Sequence, residues 1–386
     1  MAPTDLSGLL SLRTYGPWAV RVRDVVGDQL RSRYWAVKVG LAASVVSIVV
    51  ATPNWDHFHP SEINWEARER QADDPFTALD YPSDSHAAKL AFRLVPPLIA
   101  HVMPGGAWRY LVIHAVFGVL LLVLVALAAE RATRDRVVAL LVTLATATAY
   151  AGSAGFWAMN GPMDAHALAF LVLAIAARPG WLIALSVFLA CFSDERAALA
   201  IPLVALFHVV DGGRLRSAAT VASGLGLVAY GVGRALLAAT TDLHTASGGV
   251  GLDRITKEYP SLPLGGWSAI EGLWLLIAVA ALVLWLSRRR LIALTLVALV
   301  AGSALSSLVV ADVSRSATYV LPAAFVALVA LRQAGFVQLR ELAGAAMLLS
   351  LVSISYYVDY DITATDMQVS MQHPLPVQVI RWWRLE

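Results

Sequence analysis

Residues 107–153 read AWRYLVIHAVFGVLLLVLVALAAERATRDRVVALLVTLATATAYAGS, two long apolar runs joined by a short segment rich in arginine. A helix needs roughly 20 mostly apolar residues to cross the hydrocarbon core of a bilayer. Each run comes close to that length, and the basic segment between them is typical of a short loop at a membrane surface. This stretch therefore predicts a pair of membrane-spanning helices.

The composition of the chain agrees with this prediction. Of its 386 residues, 58% are hydrophobic and 15% are charged, whereas a soluble domain carries about 25% charged residues. The mean hydropathy is +0.67. A formal net charge of +2 does not indicate a nucleic-acid partner. Cys191 is the single cysteine, which excludes a disulfide framework and a multi-cysteine metal site.

Further apolar runs recur along the chain, about eleven in all, and they predict an all-α polytopic membrane protein. Three central runs are short, and short helices at membrane depth are tolerated where they line a cavity. The runs lie at 35–52, 107–129, 135–153, 164–177, 181–193, 197–210, 217–239, 268–287, 290–311, 317–332 and 339–357.

The basic residues set the expected orientation, because loops rich in lysine and arginine stay in the cytoplasm. We expect a cytoplasmic segment at 1–34, a membrane domain at 35–357 with an extracytoplasmic loop at 53–106, and an extracytoplasmic tail at 358–386. The basic residues before the first run and in alternate loops are Arg13, Arg21, Arg23, Arg31, Arg33, Lys38, Arg131, Arg134, Arg136, Arg178, Arg214, Arg216, Arg288, Arg289, Arg290, Arg332 and Arg340.

The first extracytoplasmic loop carries acids directly after the first run, in PNWDHFHPSEINWEARER from residue 53. Asp56 or Glu62 could act as a general base. Together with His57 and His59, these acids could instead bind a divalent metal ion. The alternative is an acidic loop that is merely hydrated.

The end of the same loop has an amphipathic pattern. His86, Lys89 and Arg93 follow the spacing i, i+3 and i+7, so they share one face of a helix. Apolar residues cover much of the remaining surface, and Pro96-Pro97 is expected to disrupt the helix. The pattern predicts an interfacial helix along the outer leaflet, with a cationic edge.

Two charged segments lie in short turns of the middle of the chain, on the same predicted side. Asp164 begins a short apolar run and could either cap that helix or belong to a site. Asp194, Glu195 and Arg196 are adjacent, which is costly if the turn enters the bilayer. Arg196 could pair with Glu195 or hold a phosphate, and a plain surface hairpin is the alternative.

A third charged turn, near residue 315, could belong to the same site. Arg315 follows Asp312 by three residues, so the two charges could pair with each other. Arg315 could instead face the same cavity as Arg196. Acids suit the deprotonation of a hydroxyl group, and arginines suit phosphate. One extracytoplasmic cavity that gathers both is therefore expected.

In its arrangement, residues 35–357 of the chain resemble the GT-C superfamily of membrane glycosyltransferases, which use polyprenyl-phosphate-linked sugars. Asp56 or Glu62 matches the acid that this family keeps after its first helix, and residues 86–97 match its interfacial helix. The turns MDAH at 163–166 and SDER at 193–196 are similar to its external acidic turns.

The resemblance implies a bacterial inner-membrane enzyme that transfers a sugar from a lipid phosphate to a glycan or lipid-linked acceptor outside the cytoplasm. Asp56 or Glu62 would be catalytic. The residues expected to bind substrate are His86, Lys89, Arg93, Asp164, Asp194, Glu195, Arg196 and Arg315. No cofactor is assigned; an Asp or Glu base does not require a metal, and a divalent metal is left open. The rival interpretations are a transporter or flippase of lipid-linked saccharide and a polysaccharide polymerase or ligase.

Overall fold

The computed structural model is predominantly α-helical. It describes residues 17–53, 63–77, 90–157, 164–212, 214–243, 262–309, 312–353, 356–360 and 367–385. The helices as far as residue 193 are α1 (Pro17–Arg31), α2 (Trp35–Val50), α3 (Ile63–Asp73), α4 (Val95–His101), α5 (Ala107–Thr133), α6 (Arg136–Thr148), α7 (Tyr150–Trp157), α8 (Asp164–Ala176) and α9 (Gly180–Ser193).

The remaining elements complete the bundle and add a short hairpin. They are α10 (Ala197–Gly212), α11 (Ala218–Thr240), α12 (Leu262–Ile270), α13 (Leu273–Leu286), α14 (Arg290–Leu308), α15 (Val313–Ala317), a 3-10 turn (Thr318–Val320), α16 (Pro322–Gln333), α17 (Leu339–Val352), β1 (Tyr356–Tyr360), β2 (Met367–Met371) and α18 (Leu375–Leu385).

Every predicted apolar run is occupied by a helix or by a bent pair of helices. Among the described residues, four helices are long and apolar enough to cross a membrane by length and composition, or six if each bent pair counts as one span. The four are Ala107–Thr133, Ala218–Thr240, Arg290–Leu308 and the continuous stretch Val313–Gln333. Several apolar helices could therefore span a membrane.

The bent pairs break at identifiable positions. The chain bends by 57° between α6 and α7, and it bends by 87° between α12 and α13. At the second break, a Cβ atom on Gly272 would lie 2.0 Å from the carbonyl oxygen of Ala346. A glycine is needed here because α13 and α17 approach each other too closely for any side chain.

The bundle has a fully buried centre and apolar outer helices. The most apolar part of Val313–Gln333 is 100% buried, whereas the corresponding parts of α11 and α14 are each 22% buried. Their exposed residues include Leu225, Val228 and Leu294. Large exposed apolar surfaces of this kind fit contact with lipid or another apolar partner.

Helix α8 has a polar cluster at each end. Asp164, at its beginning, is buried. At its other end the guanidinium of Arg131 donates to the carbonyl oxygens of Ile175, at 2.8 Å, and Ala177. Arg131 also pairs with Asp211 at 3.2 Å. Since α8 has 13 residues, the two clusters are separated by about 20 Å along its axis.

The predicted interfacial helix is wrong over residues 91–94, which form a turn and a short irregular segment, and its residues 86–89 lie outside the described residues. Leu90, Phe92 and Leu94 are buried, and the Gln71 side chain donates to the Leu90 carbonyl oxygen at 2.8 Å. These contacts draw the segment into the protein. Pro96-Pro97 also does not disrupt a helix: both prolines lie in the first turn of α4, where the missing N–H has no partner to lose.

The C-terminal tail adds one short β-hairpin to the predicted all-α class. β1 and β2 pair antiparallel, with Tyr356 opposite Met371. β1 packs against α12 and α15. The tail then returns to the end of α2, where the backbone N–H of Thr52 donates to the His373 carbonyl oxygen at 3.1 Å. The tail therefore lies at the same end of the bundle as Asp164.

Candidate functional site

A group of ionisable side chains from four parts of the chain meets at the Asp164 end of the bundle. We call this group the ion network. It combines the turn before α4, the start of α8, the turn between α9 and α10, and the start of α15. Its members are Arg93, Asp164, Asp194, Glu195, Arg196, Asp312 and Arg315.

The turn between α9 and α10 is closed by its own charges. Asp194 accepts hydrogen bonds from both the backbone N–H and the Nε of Arg196, each at 2.9 Å, and from Nη2 at 2.6 Å. The third nitrogen of Arg196, Nη1, donates to the Ser316 hydroxyl at 3.0 Å. Arg196 thus pairs with Asp194 and not with Glu195, because the fork of the guanidinium folds back onto the nearer carboxylate.

Arg93 connects the first loop to this turn. Its Nε and Nη2 donate to the two carboxylate oxygens of Glu195, at 3.0 and 2.8 Å. Its Nη1 lies 3.2 Å from Asp194 Oδ2. The side chain of Arg93 is buried, so it does not form a cationic edge on a lipid-facing helix.

Asp164 is held between two arginines. Arg315 donates to it through Nε at 2.8 Å and Nη2 at 3.2 Å, and Arg196 donates through Nη2 at 3.2 Å. Arg315 also binds Asp312 through Nη1 at 2.6 Å. The two sequence alternatives for Arg315 are therefore both realised, since it pairs with Asp312 and faces the same cluster as Arg196.

The charges of the ion network stabilise one another. Burial alone would raise the pKa of Asp194, but the guanidiniums of Arg196 and Arg93 more than offset it and hold that pKa below its ordinary range. Burial would lower the pKa of Arg93, but Asp194 and Glu195 raise it above its usual value. Asp194 and Arg93 are therefore both ionised at neutral pH.

Arg68 lies in α3 beside the ion network and behaves differently. Its side chain is buried, and its Nε and Nη1 have no hydrogen-bond partner in the part of the chain that the structure describes. Burial lowers the pKa of Arg68 to about 10; neighbouring Tyr110 opposes this shift, and Arg93 adds to it. The hydroxyl of Tyr110 donates to the backbone oxygen of Arg68 at 2.6 Å, which fixes α3 against α5.

Three other buried polar atoms around this region have no partner among the residues that the structure describes. They are Gln71 Oε1, His114 Nδ1 and the Tyr319 hydroxyl. His114 Nε2 lies 2.7 Å from the Ala154 carbonyl oxygen, which only accepts, so Nε2 carries the proton and Nδ1 is an acceptor. Buried polar atoms usually have partners, so this concentration suits a bound polar ligand or ordered water.

The structure brings together six of the predicted substrate-binding residues: Arg93, Asp164, Asp194, Glu195, Arg196 and Arg315. Asp56, Glu62, His86 and Lys89 lie outside the described residues. Sequence reasoning missed Arg68, which stands in the charged run EARER at 66–70. Alternating charges in such a run are typical of a solvated helix face. The sequence therefore does not distinguish Arg68 from its exposed neighbours.

Metal ligands are not evident in the described ranges, where no three His, Cys, Asp or Glu side chains are grouped to hold an ion. No protein-family model, curated protein or solved structure matches this chain. A functional assignment therefore rests on the residues of the chain itself.

Proposed function

We propose that this chain is a GT-C-type glycosyltransferase of the bacterial inner membrane. It would move a sugar from a polyprenyl-phosphate donor to a glycan or lipid-linked acceptor on the extracytoplasmic face. The observation that carries the proposal is the ion network. Arg93 of the first loop, the 194–196 turn and Arg315 converge at one end of an apolar helical bundle, which is the arrangement that the resemblance implies.

The proposed topology has about eleven crossings, with the N-terminus in the cytoplasm and the C-terminus outside. It is supported by the two ends of α8. Arg131 and Arg332, expected in cytoplasmic loops, share Asp211 at one end. The ion network, formed by residues expected outside, lies at the other. These arginines, expected in the cytoplasm and outside it, therefore lie at opposite ends of α8.

The proposed chemistry is an inverting displacement at the anomeric carbon of the donor sugar. Asp56 or Glu62 takes the proton from the acceptor hydroxyl as that oxygen forms a bond to the anomeric carbon. The bond from this carbon to the phosphate oxygen breaks, and the polyprenyl phosphate leaves with the electron pair. Because negative charge grows on the phosphate, a cation near it stabilises the transition state.

The contacts of the three network arginines favour a supporting role in this reaction. All guanidinium nitrogens of Arg93, Arg196 and Arg315 contact a carboxylate or a hydroxyl group. These arginines therefore hold the first loop and the two later turns together. The carboxylates already bound to these arginines would repel an approaching phosphate, which disfavours direct phosphate contact here.

A transporter or flippase of lipid-linked saccharide is the second candidate, and a polysaccharide polymerase or ligase is a third. The two bent helix pairs favour the transporter, because broken helices at membrane depth are common in that class. The classes differ in product: a glycosyltransferase releases polyprenyl phosphate, whereas a transporter returns the intact donor.

The test uses purified chain in liposomes containing a panel of polyprenyl-phosphate-linked pentoses and hexoses, together with a lipid-linked glycan as the acceptor. Release of polyprenyl phosphate is followed by mass spectrometry. We expect Asp56→Asn or Glu62→Gln to lower release by about 100-fold or more. Glu66→Gln is the matched control, because Glu66 is exposed and pairs with exposed Arg70. Movement of intact donor without release would replace the enzyme proposal with the transporter.

A further inference from the structure

Arg68 carries a buried charge for which the described protein provides no counter-ion contact. Its side chain is 2% exposed, and two of its three guanidinium nitrogens are buried without a hydrogen-bond partner. Placing an ionised group in a low-dielectric interior is strongly unfavourable unless it is paired. A buried arginine without an acidic partner is therefore expected where a bound anion balances its charge.

Arg93 and Arg68 are both buried at the same end of the bundle, but they differ in their acidic partners. Arg93 has carboxylate oxygens of Asp194 and Glu195 on all three nitrogens. The charges of Arg93 and Arg315 instead oppose the ionisation of Arg68, and Asp164 favours it. That acid is already hydrogen-bonded by Arg315 and Arg196.

The backbone of Arg68 is held firmly, so its side chain cannot easily turn to solvent. The Tyr110 hydroxyl binds the Arg68 carbonyl oxygen at 2.6 Å. One turn along α3, Gln71 binds the Leu90 carbonyl oxygen at 2.8 Å. Trp65, one turn before Arg68, is also buried. The buried face of α3 thus presents the guanidinium at a fixed position beside the ion network.

We propose that Arg68 binds an anionic oxygen group of phosphate type at this end of the bundle. Phosphate suits the position because its oxygens accept several charge-assisted hydrogen bonds from one guanidinium. The anion site stands on the geometry of Arg68 alone. Its assignment to the phosphate of a lipid donor rests on the proposed function.

The neighbouring unpartnered atoms extend the description of the ligand. His114 Nδ1 and Gln71 Oε1 are acceptors, and the Tyr319 hydroxyl can donate or accept. His114 lies one helical turn from Tyr110 on α5, and its ring stacks on that of His166 with centroids 6.0 Å apart. Acceptors beside a cation suit a phosphate that carries a hydroxylated group.

The experiment measures thermal unfolding of the full chain in detergent with three additives in turn: inorganic phosphate, a polyprenyl monophosphate and the matching polyprenol. Stabilisation by a phosphate, but not by polyprenol, is expected, because a ligand that binds only the folded state raises the unfolding temperature. Stabilisation by both inorganic phosphate and polyprenyl monophosphate indicates a general anion site. Stabilisation by polyprenyl monophosphate alone indicates a site that also requires the polyprenyl group of the lipid.

Two variants make the result specific. Arg68→Met should weaken phosphate binding by about 10-fold or more and should unfold no earlier than the wild type in phosphate-free buffer, since it removes an unpaired buried charge. Arg70→Gln is the matched control on the same helix, because Arg70 is exposed and pairs with Glu66. It should keep the full response to phosphate.

The opposite pattern would overturn the proposal. If Arg68→Met unfolds several degrees earlier without phosphate, and phosphate does not stabilise the wild type, then Arg68 is paired within the chain. Repeating the measurement with Asp56→Asn and Glu62→Gln would identify that internal partner. Phosphate binding through Arg68 without any sugar transfer would retain the anion site and remove the glycosyltransferase proposal.

Discussion

Arg93 and Glu195, 102 residues apart in the sequence, form a two-point ion pair with contacts of 3.0 and 2.8 Å. Asp194, the neighbour of Glu195, contacts the third nitrogen of the same guanidinium at 3.2 Å. One arginine therefore fastens the first loop to the turn between α9 and α10. Since both segments are expected to contribute to the site, this contact determines whether the site assembles.

The two acids of this turn should contribute unequally to stability. The Asp194 side chain is 3% exposed and the Glu195 side chain 38% exposed. Asp194→Asn should cost about 3–5 kcal/mol, because it leaves buried arginines without their counter-ion. Glu195→Gln should cost about 1 kcal/mol or less, since water can replace a partly exposed partner. Thermal unfolding of both variants in one detergent checks the difference, and equal losses would contradict it.

Asp164 and Arg315 should be energetically coupled. A double-mutant cycle with Asp164→Asn and Arg315→Met should give a coupling energy of about 1–3 kcal/mol, because both side chains belong to one buried network. The matched pair is Asp135 and Arg340, whose contact is 2.6 Å long but whose arginine is 64% exposed. Its coupling should stay below about 1 kcal/mol. Similar values for both cycles would mean that burial does not strengthen the Asp164 contacts.

Stability should depend on the ionisation of Asp194 in acid. Because the pKa of Asp194 is lowered by Arg196 and Arg93 despite burial, its contribution is fully present above its unfolded pKa of about 3.9 and is lost as the pH falls further. The difference in unfolding temperature between wild type and Asp194→Asn should be constant from pH 7 to about pH 5 and should shrink below about pH 4. A difference that is the same at every pH would refute the role of this charge.

The proposed topology can be tested with cysteines at the two ends of the bundle. In a Cys191→Ala background, Thr77→Cys in the first loop should react with an impermeant thiol reagent in intact spheroplasts. Val337→Cys, which is 82% exposed between α16 and α17, should react only after lysis. The reverse pattern would place the ion network in the cytoplasm and remove the extracytoplasmic donor from the proposed function.

The sequence by itself determined where the helices are. Each apolar run became a helix or a bent pair of helices, because a long apolar segment that satisfies its own backbone hydrogen bonds is favoured wherever water is scarce. The run at 339–357 marks the limit: its helix ends at Val352, and its last residues, Tyr356 and Tyr357, begin a strand. The tyrosines and valine of β1 favour a strand, and β1 also packs against α12 and α15, so this end of the run was not a helix signal.

The sequence also indicated which charged residues share one end of the bundle, since a helix that crosses from one side to the other fixes the side of each loop. Only the tertiary structure decided how those charges pair. Arg196 is adjacent to Glu195 in the sequence but forms ion pairs with Asp194 and Asp164. Glu195 forms its ion pair with Arg93. Arg68, in a run that suggests a solvated surface, is buried, and two of its guanidinium nitrogens have no hydrogen-bond partner among the described residues. Helix positions follow from local hydrophobicity along the chain. Ion pairs and burial also depend on residues from distant parts of the chain, such as Arg93 and Glu195, which meet only when the bundle packs.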